Sequence, residues 1–247
     1  MDTTTRQAAP AGERASGACD EVGKVLESRA TFYRMLASLY FKTLTQEQID
    51  TIAAMDLSAY AGLNDDFAAG TNDITRYLAK RNTGTRNELA ADFTGAFTGT
   101  KAYEGKTAVP YESVFTSEDG LLYQESYQEV FTAFKRERVK LAEGVDWPAD
   151  HLSFMFEFLA ILSERVEKAL AEGDREMATH ELETSRDFIH QHILNWFDQF
   201  ESAARNILET RFYRGVLEIT RGFLKLDLET IDDLLTQVRG QEDAPEA

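Results

Sequence analysis

Leu152-Ser153-Phe154-Met155-Phe156-Glu157-Phe158-Leu159-Ala160-Ile161-Leu162-Ser163-Glu164-Arg165-Val166-Glu167-Lys168-Ala169 is the stretch that decides the fold. Leu152, Met155, Phe156, Leu159, Leu162, Val166 and Ala169 recur at three- and four-residue steps, and Phe154, Phe158 and Ile161 widen the stripe. A strand would alternate at every second residue instead. A helix this apolar has to be central to its lobe. Pro148 suits a first helical turn, where its missing N–H costs nothing, and Asp150 would set a carboxylate at the positive end of the helix dipole. Gly173 is the expected stop.

The same period extends in both directions. Val22, Leu26, Ala30, Tyr33, Ala37 and Tyr40 form the stripe of a first helix, widened by Phe32, Leu36 and Leu39. Thr45, with Gln48 three residues on, has the spacing of a capping box and opens a shorter helix. Residues 65–81 and 86–97 supply two more, the second with Leu89, Phe93 and Phe97 on one face. Between Gly99 and Gly120 the period fails around Gly105 and Pro110, which marks a long loop. Helix resumes over 119–138, and a second break follows over 141–150 around Gly144 and Trp147-Pro148. Beyond the central helix come helical stretches over 175–200, 203–224 and about 228–238. No repeat of fixed period appears, so a solenoid is not expected. The expected fold is all-α, a bundle of about eight to ten helices in two lobes joined by a hinge. Residues 1–21 read as a disordered tail, 22–146 as an N-terminal lobe with a loop at 99–119, 147–240 as a C-terminal lobe, and 241–247 as an acidic tail.

Composition narrows the partners. Lys+Arg 26 against Asp+Glu 43 gives a net charge of −17, a field that repels phosphate backbones and attracts cationic peptides. Nucleic acid is therefore not an expected partner. One cysteine and four prolines exclude a disulfide framework and favour the cytoplasm. The first twenty residues carry no apolar core, so neither a secretory signal nor a lipid anchor is expected there, and no apolar run is long enough to span a bilayer.

A search for catalytic chemistry comes back nearly empty. There is no glycine-rich phosphate loop, no G-x-S-x-G elbow and no H-E-x-x-H helix. His190 and His192 stand two apart on a helix and point to opposite sides, so they cannot share a metal. Asp187-x-x-His190 has half the spacing of a di-iron helix pair without its second copy, and reads better as a satisfied surface histidine. No metal, no cofactor and no enzymatic activity are expected.

What is unusual sits at the two breaks. Val109-Pro110-Tyr111-Glu112-Ser113-Val114-Phe115 puts large apolar side chains into a loop that should be polar, close to Tyr103 and Tyr123. Asp146-Trp147-Pro148-Ala149-Asp150-His151 brings an indole, carboxylates and an imidazole to a hinge. Each break alone reads as packing between helices. Taken with the acidic field, they describe a peptide groove with aromatics for an apolar segment and carboxylates, Asp150 and Glu112 among them, for basic residues.

The Pro110–Phe115 loop and the Pro148-x-Asp150-His151 helix start, with its Leu/Phe-rich continuation, resemble the TorD/DmsD/NarJ family of redox-enzyme maturation chaperones. Leu89–Gly99 is similar to the family's acidic-aromatic segment before the loop, and Phe212-Tyr213-Arg214-Gly215-Val216 to its late F-Y-R helix. These pieces occur in the family's order and cover about residues 25–238. The resemblance implies an all-helical chaperone that binds the N-terminal leader, often a twin-arginine export signal, of a molybdenum-cofactor oxidoreductase in its apo form. It assists cofactor insertion and delays export until then. It further implies a monomer or a domain-swapped dimer, and a peptide site at Tyr111, Glu112, Ser113, Val114, Phe115, Trp147, Pro148, Asp150 and His151. Glu112 departs from the pattern, since some leader-binding members have glycine there. A helical adaptor without leader specificity, and a helical-bundle enzyme carrying a metal, are the alternative expectations.

Overall fold

Ten α-helices and no strand make up the described part of the computed structural model, residues 11–240, with side chains from residue 21 on. The tail residues 1–10 and 241–247 lie outside it. Helix α1 (Ala11–Phe41) begins at Ala11 rather than at Val22, where its apolar stripe starts. Thr45 caps α2 (Gln46–Ala54) as its spacing predicts: its hydroxyl accepts from the Gln48 N–H at 3.2 Å, and the Gln48 side chain accepts from the Thr45 N–H at 2.9 Å. A 3-10 turn at Leu57–Tyr60 leads to α3 (Asp65–Leu78), where Asn64 accepts from the Phe67 N–H. Helix α4 (Thr85–Phe97) matches its stripe.

The expected loop at 99–119 contains a one-turn helix, α5 (Glu112–Thr116), and α6 runs Glu125–Arg136, shorter at both ends than its period suggested. Helix α7 (Leu152–Glu172) is the central stripe, and Gly173 ends it in the left-handed conformation at φ 76°. Its first turn excludes Pro148. His151 is the N-cap, its ring Nδ1 accepting from the Ser153 N–H at 3.1 Å, so the helix starts only after that side chain.

Further on, the expected helix boundaries shift. Helix α8 (Arg175–Ile189) passes into a π-turn at His190–Leu194 before α9 (Phe197–Ile207). The stretch read as one helix over 203–224 breaks at Leu208. There the Asp92 carboxylate takes the N–H groups of Glu209 and Thr210 and the Thr210 hydroxyl, and so opens α10 (Arg211–Gly240). Nothing in 225–228 breaks a helix, and α10 absorbs the separate helix expected at 228–238.

Packing joins the two halves of the sequence. Helix α1 lies along α7, α3 lies along α10, and α8 packs against both α7 and α10. The buried side chains, from Leu26 to Val238, form one cluster drawn from both sides of the 141–150 break. The α3–α10 crossing is close enough to need glycine on both helices. A Cβ on Gly70 would come within 2.6 Å of the Gly215 carbonyl oxygen, and one on Gly215 within 2.7 Å of that of Gly70. Inside the core, the Asp227 carboxylate accepts from Arg29 Nε and from the Tyr33 hydroxyl, both at 2.6 Å. The Ser163 hydroxyl donates to the Leu26 carbonyl and ties α7 to α1 again.

The two weaker sequence pieces now have structural causes. Asp92 is the cap of α10, and Phe93 packs tilted and Phe97 edge-on against Tyr213. Arg214 donates to the Leu208 carbonyl at the break, and Gly215 is the crossing point.

Candidate functional site

The two sequence breaks meet. Across 110–152 the backbone closes an antiparallel bridge between Tyr111 and His151, with the Leu152 N–H donating to the Pro110 carbonyl (2.9 Å) and the Glu112 N–H to the Asp150 carbonyl (3.1 Å). Asp150 adds a side-chain contact, its Oδ2 accepting from the Ser113 N–H at 2.9 Å. Its carboxylate therefore serves the first turn of α5, not the dipole of α7 alone.

Above this junction lies a row of rings. His151 is sandwiched with Tyr111 at 4.7 Å, Trp147 at 5.3 Å and Phe154 at 5.5 Å between ring centroids, and Trp147 rests on Phe41 at 5.1 Å. A second cluster lies at the start of α6: Tyr123, just ahead of the helix, meets Tyr127 at 5.1 Å, and Tyr127 stacks on Phe131 one turn on at 6.1 Å. Trp147 is 43 % exposed, Tyr123 55 % and Phe131 40 %. Apolar clusters this open are unusual on a surface that has polar residues to spare. Tyr103 turns back in a bridge with Lys106, and Phe115 points inward, stacked on Trp196 at 5.4 Å and set edge-on to Phe200.

The expected arginine partners are placed otherwise. Asp150 is wholly buried and Glu112 is 1 % exposed, so neither carboxylate is presented to solvent. Glu112 reaches across to the π-turn: its Oε2 accepts from His192 Nδ1 at 3.1 Å and its Oε1 from Asn195 Nδ2 at 2.9 Å. Burial pushes the carboxyls of both Glu112 and Asp150 above the usual carboxylate range, against hydrogen bonds that pull each of them back down. Burial also lowers His151 to about 3, so its ring is neutral near pH 7, with the proton on Nε2 because Nδ1 caps α7. Tyr111 is pushed up to about 12, first by burial and then by the charges of Asp150 and Tyr123.

Of the nine site residues expected from sequence, Tyr111 and Trp147 reach the surface row, with Val114 and Phe115 half-buried beside it. Glu112, Ser113, Pro148, Asp150 and His151 form the buried layer beneath. Sequence reading missed Phe41, Tyr127, Phe131, His192 and Asn195. The Tyr123, Tyr127, Phe131 spacing was visible as one helical face; the Glu112 contact spans 80 residues and left no local signal. His190 is exposed, as read, whereas His192 is buried.

Helices α6 and α8 enclose a groove of about 930 Å³, lined by Glu125, Glu129, Glu183 and Asp187 along with Arg136 and His180. Glu183 pairs with Arg239, and Asp187 with Arg186. No helix among the described residues is long and apolar enough to cross a membrane.

Comparison with known proteins agrees with this picture. Residues 61–202 match the family described as nitrate reductase delta subunit. A protein named chaperone protein TorD from Vibrio vulnificus (strain YJ016) is 33 % identical over 213 residues, covering 84 % of this chain and 96 % of that protein. Its namesake from Vibrio parahaemolyticus is 30 % identical over the same length and shares. The one from Shewanella pealeana is 27 % identical over 228 residues, covering 87 % and 95 %. With one family matched over more than half its length and relatives aligned almost end to end, the chain belongs to the TorD/DmsD/NarJ family of redox-enzyme maturation chaperones, which are not enzymes.

Proposed function

We propose that this chaperone serves a molybdenum-cofactor oxidoreductase by binding the N-terminal leader of its apo form in the cytoplasm, assisting cofactor insertion and holding export back until then. The observation that carries this reading is a pair of open ring clusters, Trp147 and Tyr111 around His151 on a junction clamped by backbone bonds, and Tyr123, Tyr127 and Phe131 at the start of α6. An apolar leader segment laid on these rings is favoured by about 25 cal/mol for each Å² removed from water. With Glu112 and Asp150 buried, the leader's arginines fall to exposed carboxylates. Helix α6 offers them on its other flank, where Glu125 and Glu129 line the α8 groove. One helix thus carries rings on one side and negative charge on the other, the pairing that a basic–apolar leader requires.

Titration of purified chaperone with a synthetic leader peptide, followed by the emission of the exposed Trp147, tests the reading. A saturable change with the leader, weakened when its two arginines become glutamine, is the expected result. A protein that ignores the isolated leader but captures the folded client would instead be an adaptor.

A further inference from the structure

Helix α5 has five residues and no side-chain N-cap, and it is too short to hold its own shape in water. What fixes it comes from elsewhere. From the turn ahead of α7, Asp150 supplies an acceptor to Ser113. From α6, the Ser126 hydroxyl meets that of Thr116 at 3.0 Å. From the far side come His192 of the π-turn and Asn195 directly after it, one to each oxygen of Glu112. The turn is itself keyed in place, because the Trp196 indole donates to the His192 carbonyl at 2.6 Å and its ring stacks on Phe115.

This arrangement is costly as a stabilising device. Burying a carboxylate beside an imidazole loses hydration that the pair scarcely recovers, and apolar residues of the same volume would serve a plain core at least as well. A π-turn opposite it adds an irregular helix geometry of the kind often found at functional sites. Glu112 directly follows Tyr111, so the depth at which Glu112 is held fixes where the Tyr111 ring stands relative to His151.

We propose that His192 on the π-turn and Asn195 directly after it are positioning residues for the peptide surface: through the two oxygens of Glu112 they lock α5 and so hold Tyr111 against His151, beside Trp147. The proposal rests on the leader-binding reading above for its purpose, but not for its geometry. It also gives Glu112 a role at the position where the family pattern admits glycine, since a glycine there would leave the π-turn nothing to grip.

Hydrogen–deuterium exchange of the full chain, read alongside leader titration, tests it. In Glu112→Ala the amides of Glu112 and Ser113, which bond to Asp150, should exchange about tenfold faster, the equivalent of one lost hydrogen bond. Amides in the middle of α7 should keep their wild-type rates. Glu112→Gln, which keeps the shape and an acceptor for Asn195, should restore most of the protection. Asn195→Ala, at an exposed position that the fold tolerates, should give a smaller loss in the same segment. Leader affinity should fall in the same order while the melting temperature moves little. Unchanged exchange at 112–115 in Glu112→Ala overturns the proposal, and so does a uniform rise across all helices, which would make Glu112 a general stabiliser. If the wild-type chain binds no leader while exchange responds locally as described, the leader reading fails and the π-turn lock stands.

Discussion

Helix α7 does two kinds of work along its length. Around Leu159 it is packed on all sides by apolar groups from α1 and α8, with Phe156, Phe158 and Leu162 buried beside it. At its start, around His151, the same helix meets a layer of buried polar groups, and Asp150 Oδ1, Ser113 Oγ and Ser153 Oγ have no partner there. The first region gains from every methyl group it buries. The second gives up stability to hold rings and backbone in a fixed relation, a trade expected where a surface has to fit another molecule. On the proposed reading, stability and recognition are separated along one helix, and that separation can be tested at four points.

The largest effect should come from the packed region. Leu159→Ala should cost roughly 2 to 5 kcal/mol of unfolding free energy through a cavity, while leader affinity measured below the melt stays at the wild-type value. Denaturant titration and peptide binding on the same preparation check it; lost affinity in a folded variant would erase the distinction. Next in size, Trp147→Ala or Tyr111→Ala should weaken leader binding by about 2 kcal/mol, near thirtyfold, with a smaller loss of stability. Binding that falls only in step with melting temperature would mean that the rings are packing.

A smaller change is expected from charge. Glu125→Gln with Glu129→Gln should slow leader association by a few-fold at low salt and leave dissociation alone, and the difference should shrink as ionic strength rises past about 0.1 M. Stopped-flow rates at two salt concentrations read this directly. The smallest effect concerns the buried layer. Because burial raises the Asp150 carboxyl in the fold, that group's contribution is fully present below its unfolded range and is lost as pH rises through the raised value. Asp150→Asn, which keeps an acceptor for Ser113, should therefore gain on the wild type in melting temperature between pH 4 and pH 7. A constant offset across that range would show that Asp150 ionises without cost.

How much of this was legible beforehand follows from range. The α7 stripe, the Thr45–Gln48 cap and the Gly173 stop are written within a few residues, and each appears as read. The two breaks were visible as failures of period, and Tyr111 and Trp147 stood out because large rings in loops are uncommon. Their joining was not visible, since it depends on a backbone bridge between positions 111 and 151. The burial of Glu112 and Asp150 was not visible for the same reason. A carboxylate in a loop looks solvated until a helix from elsewhere covers it. Likewise, the break before α10 comes from Asp92, more than a hundred residues earlier.

The bond between Arg29 and Asp227 spans 198 residues, and α1 otherwise buries its stripe against α7. At ribosomal speeds of 5–20 residues per second, about 10 to 40 s pass between the synthesis of one partner and of the other. For most of that interval, until α7 is made, the stripe of Leu26, Tyr33, Leu36 and Tyr40 has no permanent cover, and the chain carries an exposed apolar helix into a crowded cell. A chaperone thus depends, during its own birth, on finding shelter for its first helix.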